Sequence, residues 1–263
     1  MKRAMTGLRH ISQIPVETDV PGRPGVTRQL LSRDEASGSK TRLLTMPPNY
    51  RSALSREKDG LMESHVSSEE IFVLEGVMSF GRRYDIRGLG YTFHPPGWIH
   101  PADQQTEFGY KMLIKSGADP VDFTFTSPPP NWDGAEYSLI DSPESTGKGV
   151  TRRDVESVPR REIVLADGTP TGLFSQPLLN DGPDGWSTWM LTVPPAWTAG
   201  ERRLEVTLGG LEFYVLSGDL SCIVDGMLSE LTQGNYYSNP GEVTLHSTSA
   251  FSRNGCYVIC WTR

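Results

Sequence analysis

Three segments of this 263-residue chain recur in the same order at nearly the same offset, so the chain is built from two copies of one unit. LTMPPNY, from Leu44 to Tyr50, returns as LTVPPAW, from Leu191 to Trp197, an offset of 147. FVLEG, closing at Gly76, returns as YVLSG, closing at Gly218, an offset of 142. GYTFHPPG, from Gly90 to Gly97, returns as GNYYSNPG, from Gly234 to Gly241, an offset of 144. Loop insertions of a few residues account for the differences. Between the copies, SPPPNWDGAEYSLIDSPESTGKG, from Ser127 to Gly149, is rich in Pro, Gly, Ser and Asp and reads as a linker. The boundary is expected near residue 140, giving domains 1–140 and 141–263. Trp132 and Tyr137 would be costly to leave in water, so the linker is expected to pack on a sheet surface.

Within each copy, 27 glycines and 20 prolines across the chain punctuate short runs of β-branched and aromatic residues. EIFVLEG, GYTF, YKMLI, DFTFT, TWMLTV, EFYVLSGDLSCIVDG and CYVICW are the clearest strands. Helix signals are confined to short pieces at Ser32 to Ala36 and Arg152 to Val155. The expected class is all-β, two tandem barrels or sandwiches. An apolar fraction of 37% suffices for two cores.

A net charge of -7 leaves no basic surplus for nucleic acid or an anionic membrane. No run approaches the roughly 20 apolar residues of a membrane span, and a soluble, cytoplasmic protein is expected. Cys222, Cys256 and Cys260 sit in apolar strand contexts and read as buried thiols.

The residues with chemical potential cluster in the first copy. Glu63, His65 and Glu69 fall on odd positions of MESHVSSEEIFVLEG, so an extended segment turns them to one face. His100 follows the Pro-Pro-Gly turn of HPPGWIH, where a neighbouring strand can bring it beside them. His94 shares the parity of His100 but precedes that turn and is not counted among the ligands. His10 and His246 read as structural. Phe93, Trp98, Phe108 and Tyr110 read mainly as core, with some available to line a pocket, and Arg82 and Arg83 as a solvated turn.

These residues resemble the motifs of the cupin superfamily. Its first motif runs Gly, His-x-His, three or four residues, Glu, six residues, Gly; His65, Glu69 and Gly76 match its second half. Gly90, Pro95, Gly97 and His100 match the second motif with one residue fewer after the first Gly. The resemblance implies a bicupin, two tandem jelly-roll or double-stranded β-helix barrels, with one divalent metal in the first. It implies a metal set of Glu63, His65, Glu69 and His100. Glu63 replaces the first His of the motif: it either ligates directly or stands back as an outer acceptor and general base. In the second copy Glu205 takes the place of Glu63, while Thr207, Leu211 and Thr244 take those of His65, Glu69 and His100, so that domain is expected to be degenerate and metal-free.

Imidazole and carboxylate donors suit Fe(II), which is favoured, or Zn, Mn, Ni or Co. The resemblance points to a small-molecule substrate, carbonyl, enolisable or phenolic, and to an O₂-dependent dioxygenase similar to cupins that cleave β-diketones or hydroxyaryl ketones. A non-redox metallocupin, acting as isomerase, lyase, decarboxylase or polyketide cyclase, is the alternative. A metal- or ligand-sensing regulator, similar to the cupin domain of zinc-binding anti-sigma factors, is the third. A homodimer paired through sheet edges is compatible with the resemblance.

Overall fold

The computed structural model describes residues 7–34, 38–52, 62–80, 84–102, 104–117, 123–127, 137–138, 151–180, 182, 185–200, 205–208, 210–239, 241 and 243–262. Up to the middle of the chain the strands are β1 (Gly7–His10), β2 (Thr27–Arg33), β3 (Lys40–Met46), β4 (Tyr50–Arg51), β5 (Met62–His65), β6 (Glu69–Phe80), β7 (Tyr84–Arg87), β8 (Gly90–His94), β9 (Trp98–Pro101), β10 (Gln104–Thr106), β11 (Tyr110–Ser116), β12 (Phe123–Thr126), β13 (Tyr137–Ser138) and β14 (Thr151–Asp154). The remainder are β15 (Arg161–Val164), β16 (Pro170–Leu179), β17 (Ser187–Val193), β18 (Glu205–Leu208), β19 (Leu211–Val224), β20 (Met227–Thr232), β21 (Asn235–Asn239), β22 (Val243–Phe251) and β23 (Cys256–Thr262). Helical structure among the described residues is two 3₁₀ turns, Ile11–Gln13 and Val155–Ser157. Of the helical pieces expected at Ser32 to Ala36 and Arg152 to Val155, Ser32 and Arg33 lie in β2 and Arg152 to Asp154 in β14, where ladder pairing overrides weak local propensity, Val155 opens the second 3₁₀ turn, and Glu35 and Ala36 lie outside the described residues.

The chain divides into two compact units, Pro15–Asp154 and a second made of Met1–Ile14 with Val155–Arg263. Each contains the same antiparallel sheet path. The N-terminal unit runs β14-β8-β6-β11-β3-β2, and the C-terminal unit runs β1-β21-β19-β23-β17-β16 with β15 added at its edge. The division falls at Asp154/Val155 rather than near residue 140, because hydrogen bonding, not linker composition, decides where a segment belongs. β14 pairs with β8 of the N-terminal unit, and β1 pairs with β21 of the C-terminal unit. The two crossing segments are themselves a repeat, RHISQIP from Arg9 and RDVESVP from Arg153, at an offset of 144. Their 3₁₀ turns close with equal bonds, Ile14 N to Ile11 O and Val158 N to Val155 O, both 3.1 Å.

Period-two alternation builds each core. In the N-terminal unit Ile71 and Val73 of β6, Met112 and Ile114 of β11, and Leu44 and Met46 of β3 turn inward together. In the C-terminal unit Leu211, Phe213 and Val215 of β19 do the same with Val258 and Cys260 of β23. Cys256 and Cys260 are buried and Cys222 half-buried, all three as free thiols. Desolvation pushes the thiols of Cys222 and Cys256 up to about 12, consistent with packing residues.

The recurring motifs mark one backbone junction made twice. Gly76 and Gly218 have φ of 81° and 83°, and a Cβ on either would collide with the carbonyl oxygen of Gly109 or Gly255. Beside each, the central strand carries a bulge, at Leu74 in β6 and Leu216 in β19. The Pro-Pro turns close the junction: Asn49 N donates to Glu107 O and Ala196 N to Arg253 O, with Asn49 and Ala196 both left-handed. A one-residue departure here would reverse the inward and outward sets of the central strand.

Gly226, at φ 76° with open space around it, separates conformational strain from collision. Gly226→Ala should cost about 1–2 kcal/mol, and Gly218→Ala about 2 kcal/mol more; equal urea midpoints for the two variants would contradict a tight junction. Asp219 offers a pH-dependent counterpart. Its carboxylate accepts from Arg253 N and Asn254 N, both 2.9 Å, and from Asn254 Nδ2 at 2.7 Å. The Arg253 amide above all, then Asn254, hold its acidity below the ordinary aspartate value. A depressed carboxyl stabilises the fold above its unfolded pKa and loses that contribution as pH falls through the folded value. Thermal melts should therefore show Asp219→Ala lowering Tm at neutral pH, with the gap closing below the ordinary carboxylate range.

Candidate metal centre

Two cross-strand pairs and one strand-mate bring the titratable groups together. On β5, Glu63 and His65 share a face, and Glu63 stands opposite His100 in the β5–β9 ladder. On β6, Glu69 stands opposite His94 in the β6–β8 ladder. Val66 to Ser68 form no strand, so the expected single extended segment is corrected to two strands, β5 and β6, and Glu69 reaches the site from the second. The Pro-Pro-Gly turn sets the other side: Gly97, at φ 71°, donates to His65 O at 2.7 Å, and Trp98 N donates to Pro95 O at 3.2 Å. That turn delivers His94 from its leading arm and His100 from its trailing arm.

The four sequence-expected residues Glu63, His65, Glu69 and His100 are gathered in one place, and His94 joins them. Relative exposures are 5% for Glu63, 9% for His65, 7% for Glu69, 1% for His94 and 0% for His100, so water screens these charges weakly. His65 Nε2 lies 3.3 Å from His100 Nε2 and 3.8 Å from Glu69 Oε2. His94 Nδ1 lies 3.6 Å from Glu69 Oε2, and Glu63 Oε1 lies 3.7 Å from His100 Nδ1. The His94 and His100 rings stack at 4.6 Å between centroids.

Burial, reinforced by the charge of Glu69, raises the Glu63 carboxyl to about 8 against the opposing pull of Arg23. Burial would raise Glu69 too, yet the His65, His94 and His100 rings hold it well below the usual carboxylate range. Desolvation lowers His65 and His100, a shift in the direction of the neutral imidazole. A neutral imidazole and an ionised carboxylate are the forms that coordinate metal.

The donors fit a divalent ion. Ligand atoms of Glu63, His65 and His100, and again of Glu69, His94 and His100, lie within 4.8 Å of one another. Outer contacts orient two of the rings: His100 Nδ1 meets Pro101 O at 3.1 Å, and His94 Nε2 meets Thr92 Oγ1 at 3.4 Å. Such contacts fix which ring nitrogen faces a metal. Both groups belong to the N-terminal unit, among the described residues. Of the aromatic residues read from sequence, Phe93 and Tyr110 are buried, Trp98 is half-buried, and Phe108 is exposed on a 550 Å³ groove lined also by Arg51, Asp85 and Arg87. His10 caps the first 3₁₀ turn, its Nε2 against Gln233 O. Arg82, Arg83 and Trp132 lie outside the described residues.

The C-terminal unit has changed at the equivalent positions. Leu211 replaces Glu69 and joins the apolar core, and the residue opposite it is Asn239, whose Oδ1 accepts from Gly241 N at 3.0 Å. One assignment is corrected: Glu205 pairs with His246, as Glu63 pairs with His100, so His246 rather than Thr244 holds the His100 position. Two extra residues after Gly241 displace it from the motif spacing. An acid outside the site is retained in both units, with Tyr91 donating to Glu70 at 3.0 Å and Tyr236 donating to Glu212 at 2.5 Å. His94 is the residue that sequence spacing missed; its signal is the alternation of GYTFH, which places Thr92 and His94 on one face.

Residues 9–119 match the family described as the ChrR cupin-like domain. A provisionally termed dioxygenase from Nostoc punctiforme is similar in structure at 15% identity, covering 100% of this chain and 87% of its own, with a TM-score of 0.74. AerE from Microcystis aeruginosa aligns at 13% identity over 98% of both chains, TM-score 0.56. Oxalate decarboxylase from Lactobacillus farciminis aligns at 12% identity over 97% of this chain and 85% of its own, TM-score 0.56. No curated protein matches the sequence. The chain has the cupin fold in two tandem units. No helix among the described residues is long and apolar enough to cross a membrane.

A ligand that binds only the folded state raises apparent stability, by about 2.7 kcal/mol at one hundred times its Kd. Adding Fe(II), Mn(II) or Zn(II) to chelator-treated protein should raise Tm by several degrees. His65→Ala combined with His100→Ala should abolish the rise, whereas His246→Ala should preserve it.

Proposed function

We propose that this two-unit cupin is a mononuclear metal-dependent enzyme whose N-terminal unit acts on a small enolisable carbonyl or phenolic compound, with O₂-dependent dioxygenation as the reaction. The observation that carries the reading is the closeness of His65 Nε2 to His100 Nε2 and Glu69 Oε2, at 3.3 and 3.8 Å, in a buried cluster whose ring orientations suit coordination. A divalent ion there would supply Lewis acidity, and with iron also redox chemistry, to a coordinated substrate oxygen. Two imidazoles and a carboxylate are the donors used by non-haem Fe(II) oxygenases, which is why Fe(II) is favoured over Zn, Mn, Ni or Co.

The protein's own groups provide the rest. Glu63, 3.7 Å from His100 and raised to about 8 by burial, would exchange a proton with substrate as an acid or base, or complete the ligand set. Arg23 is half-buried, and its charge acts on Glu63, His65, Tyr50 and Tyr110, so an anionic substrate would meet a favourable field. The fold likeness to a provisionally termed dioxygenase is compatible with this reading.

A non-redox reaction is the second reading, favoured by the fold likeness to oxalate decarboxylase. A metal-sensing role is the third, favoured by the match of residues 9–119 to the ChrR cupin-like domain.

An oxygen electrode separates them. Fe(II)-loaded protein given β-diketones or hydroxyaryl ketones should consume O₂ in step with substrate loss, and Glu63→Gln should lower kcat by about 10²-fold or more if Glu63 moves the proton. Full turnover without O₂ would replace dioxygenation by the non-redox reading. Tightly bound zinc without turnover, together with a co-purifying transcription factor, would favour the sensor.

A further inference from the structure

We infer that His94 is an inner ligand of the metal and that Glu63 stands outside the coordination shell; the inference rests on the metal-binding reading above. The ligand atoms of Glu69, His94 and His100 fall within 4.8 Å of one another, and His94 Nδ1 lies 3.6 Å from Glu69 Oε2, a separation that one ion with bonds of about 2.0–2.2 Å bridges. His94 is 1% exposed, directly opposite Glu69 in the β6–β8 ladder, and stacked on His100. Its Nε2 is turned to Thr92 Oγ1, which leaves Nδ1 toward Glu69 at 3.6 Å.

His100 is oriented in the complementary sense. Its Nδ1 meets the Pro101 carbonyl, and its Nε2 faces His65 Nε2 at 3.3 Å. Each of these two rings therefore has one nitrogen engaged by the protein and the other directed to a common centre beside Glu69. Glu63 approaches His100 at Nδ1, the nitrogen on the Pro101 side. Its carboxylate also lies within 4.8 Å of the His65 and His100 ligand atoms, but its approach to His100 is on the Pro101 side of the ring rather than the Nε2 side. The inner set is His65, Glu69, His94 and His100: β8 supplies an imidazole where β5 carries Glu63. Three imidazoles and one carboxylate leave about two positions of an octahedral shell for substrate, and Glu63 stays available as an uncoordinated acid or base.

Affinity alone cannot test this, because removing an outer partner also weakens metal binding by about 10- to 100-fold. Counting imidazoles can. Zn(II) added to the chelator-treated full chain should show three imidazoles by X-ray absorption, two in His94→Gln, and three in Glu63→Gln. His94→Gln should also weaken Zn(II) at least about 10-fold, while Glu63→Gln keeps one zinc per chain. The wild-type count stands by itself if His94→Gln fails to fold. Zinc held through two imidazoles in the wild type overturns the inference and leaves the metal reading intact; no zinc bound at all overturns both.

Discussion

The close backbone approach at Gly76 and Gly109 is the constraint on which the rest depends. β6 is the central strand of its unit, hydrogen-bonded to β8, β11, β7 and β10, and its bulge at Leu74 followed by a left-handed Gly76 sets the register with β11. Above the bulge, Glu69, Ile71 and Val73 face inward together; a slip of one residue would send Glu69 out and Glu70 in. The same junction at Gly218 and Gly255 sets β19, where the inward set begins with Leu211. One backbone device thus positions a carboxylate in one unit and a core leucine in the other at the same register position.

Burying two carboxylates and three imidazoles within a few ångströms is costly unless they are paired or bind a metal. The cluster accommodates itself in part: the three rings lower the Glu69 carboxyl against the effect of its burial, while burial and the charge of Glu69 push Glu63 upward. In the C-terminal unit the equivalent Leu211 and Asn239 carry no such cost, since the leucine packs with Phe213 and Val215 and the amide oxygen caps Gly241. An electrostatic expense retained in one copy and removed in the other is what a functional site in one copy predicts, because local conflicts with stability concentrate where function needs them.

The duplication, the β class and the convergence of Glu63, His65, Glu69 and His100 were legible because each rests on local spacing: glycines at turns, alternation along strands, and a Pro-Pro-Gly reversal before His100. What spacing could not show is pairing between strands distant in sequence. His94 meets Glu69 because β6 pairs with β8 across the intervening β7, and parity along either strand says nothing of that partner. His246 was hidden by two inserted residues, which shift a count but leave the ladder unchanged, so Glu205 still stands opposite His246 in the backbone register as Glu63 stands opposite His100. A Pro- and Gly-rich composition marks where chain is irregular, whereas β14 is assigned to its unit by bonds to β8, which composition does not show.

The recurring Glu–Tyr pair bears on which acids belong to the scaffold. Glu70 and Glu212 occupy the same register in β6 and β19, and each accepts from a tyrosine on the neighbouring strand, Tyr91 or Tyr236. An acid kept in both copies, facing away from the cluster and satisfied by a hydroxyl, has a structural role whether or not metal binds. Glu69 is the opposite case, present in one copy, facing inward and surrounded by imidazoles. Glu63 combines features of both. It recurs as Glu205 at the same place in its ladder, yet in the N-terminal unit it is buried beside His100 on the side of the Pro101 carbonyl. Recurrence marks its position as part of the scaffold, and burial among charged neighbours makes its proton chemistry available to the site. An acid outside the coordination shell would satisfy both demands, since it would need no inner coordination position to be retained or to act.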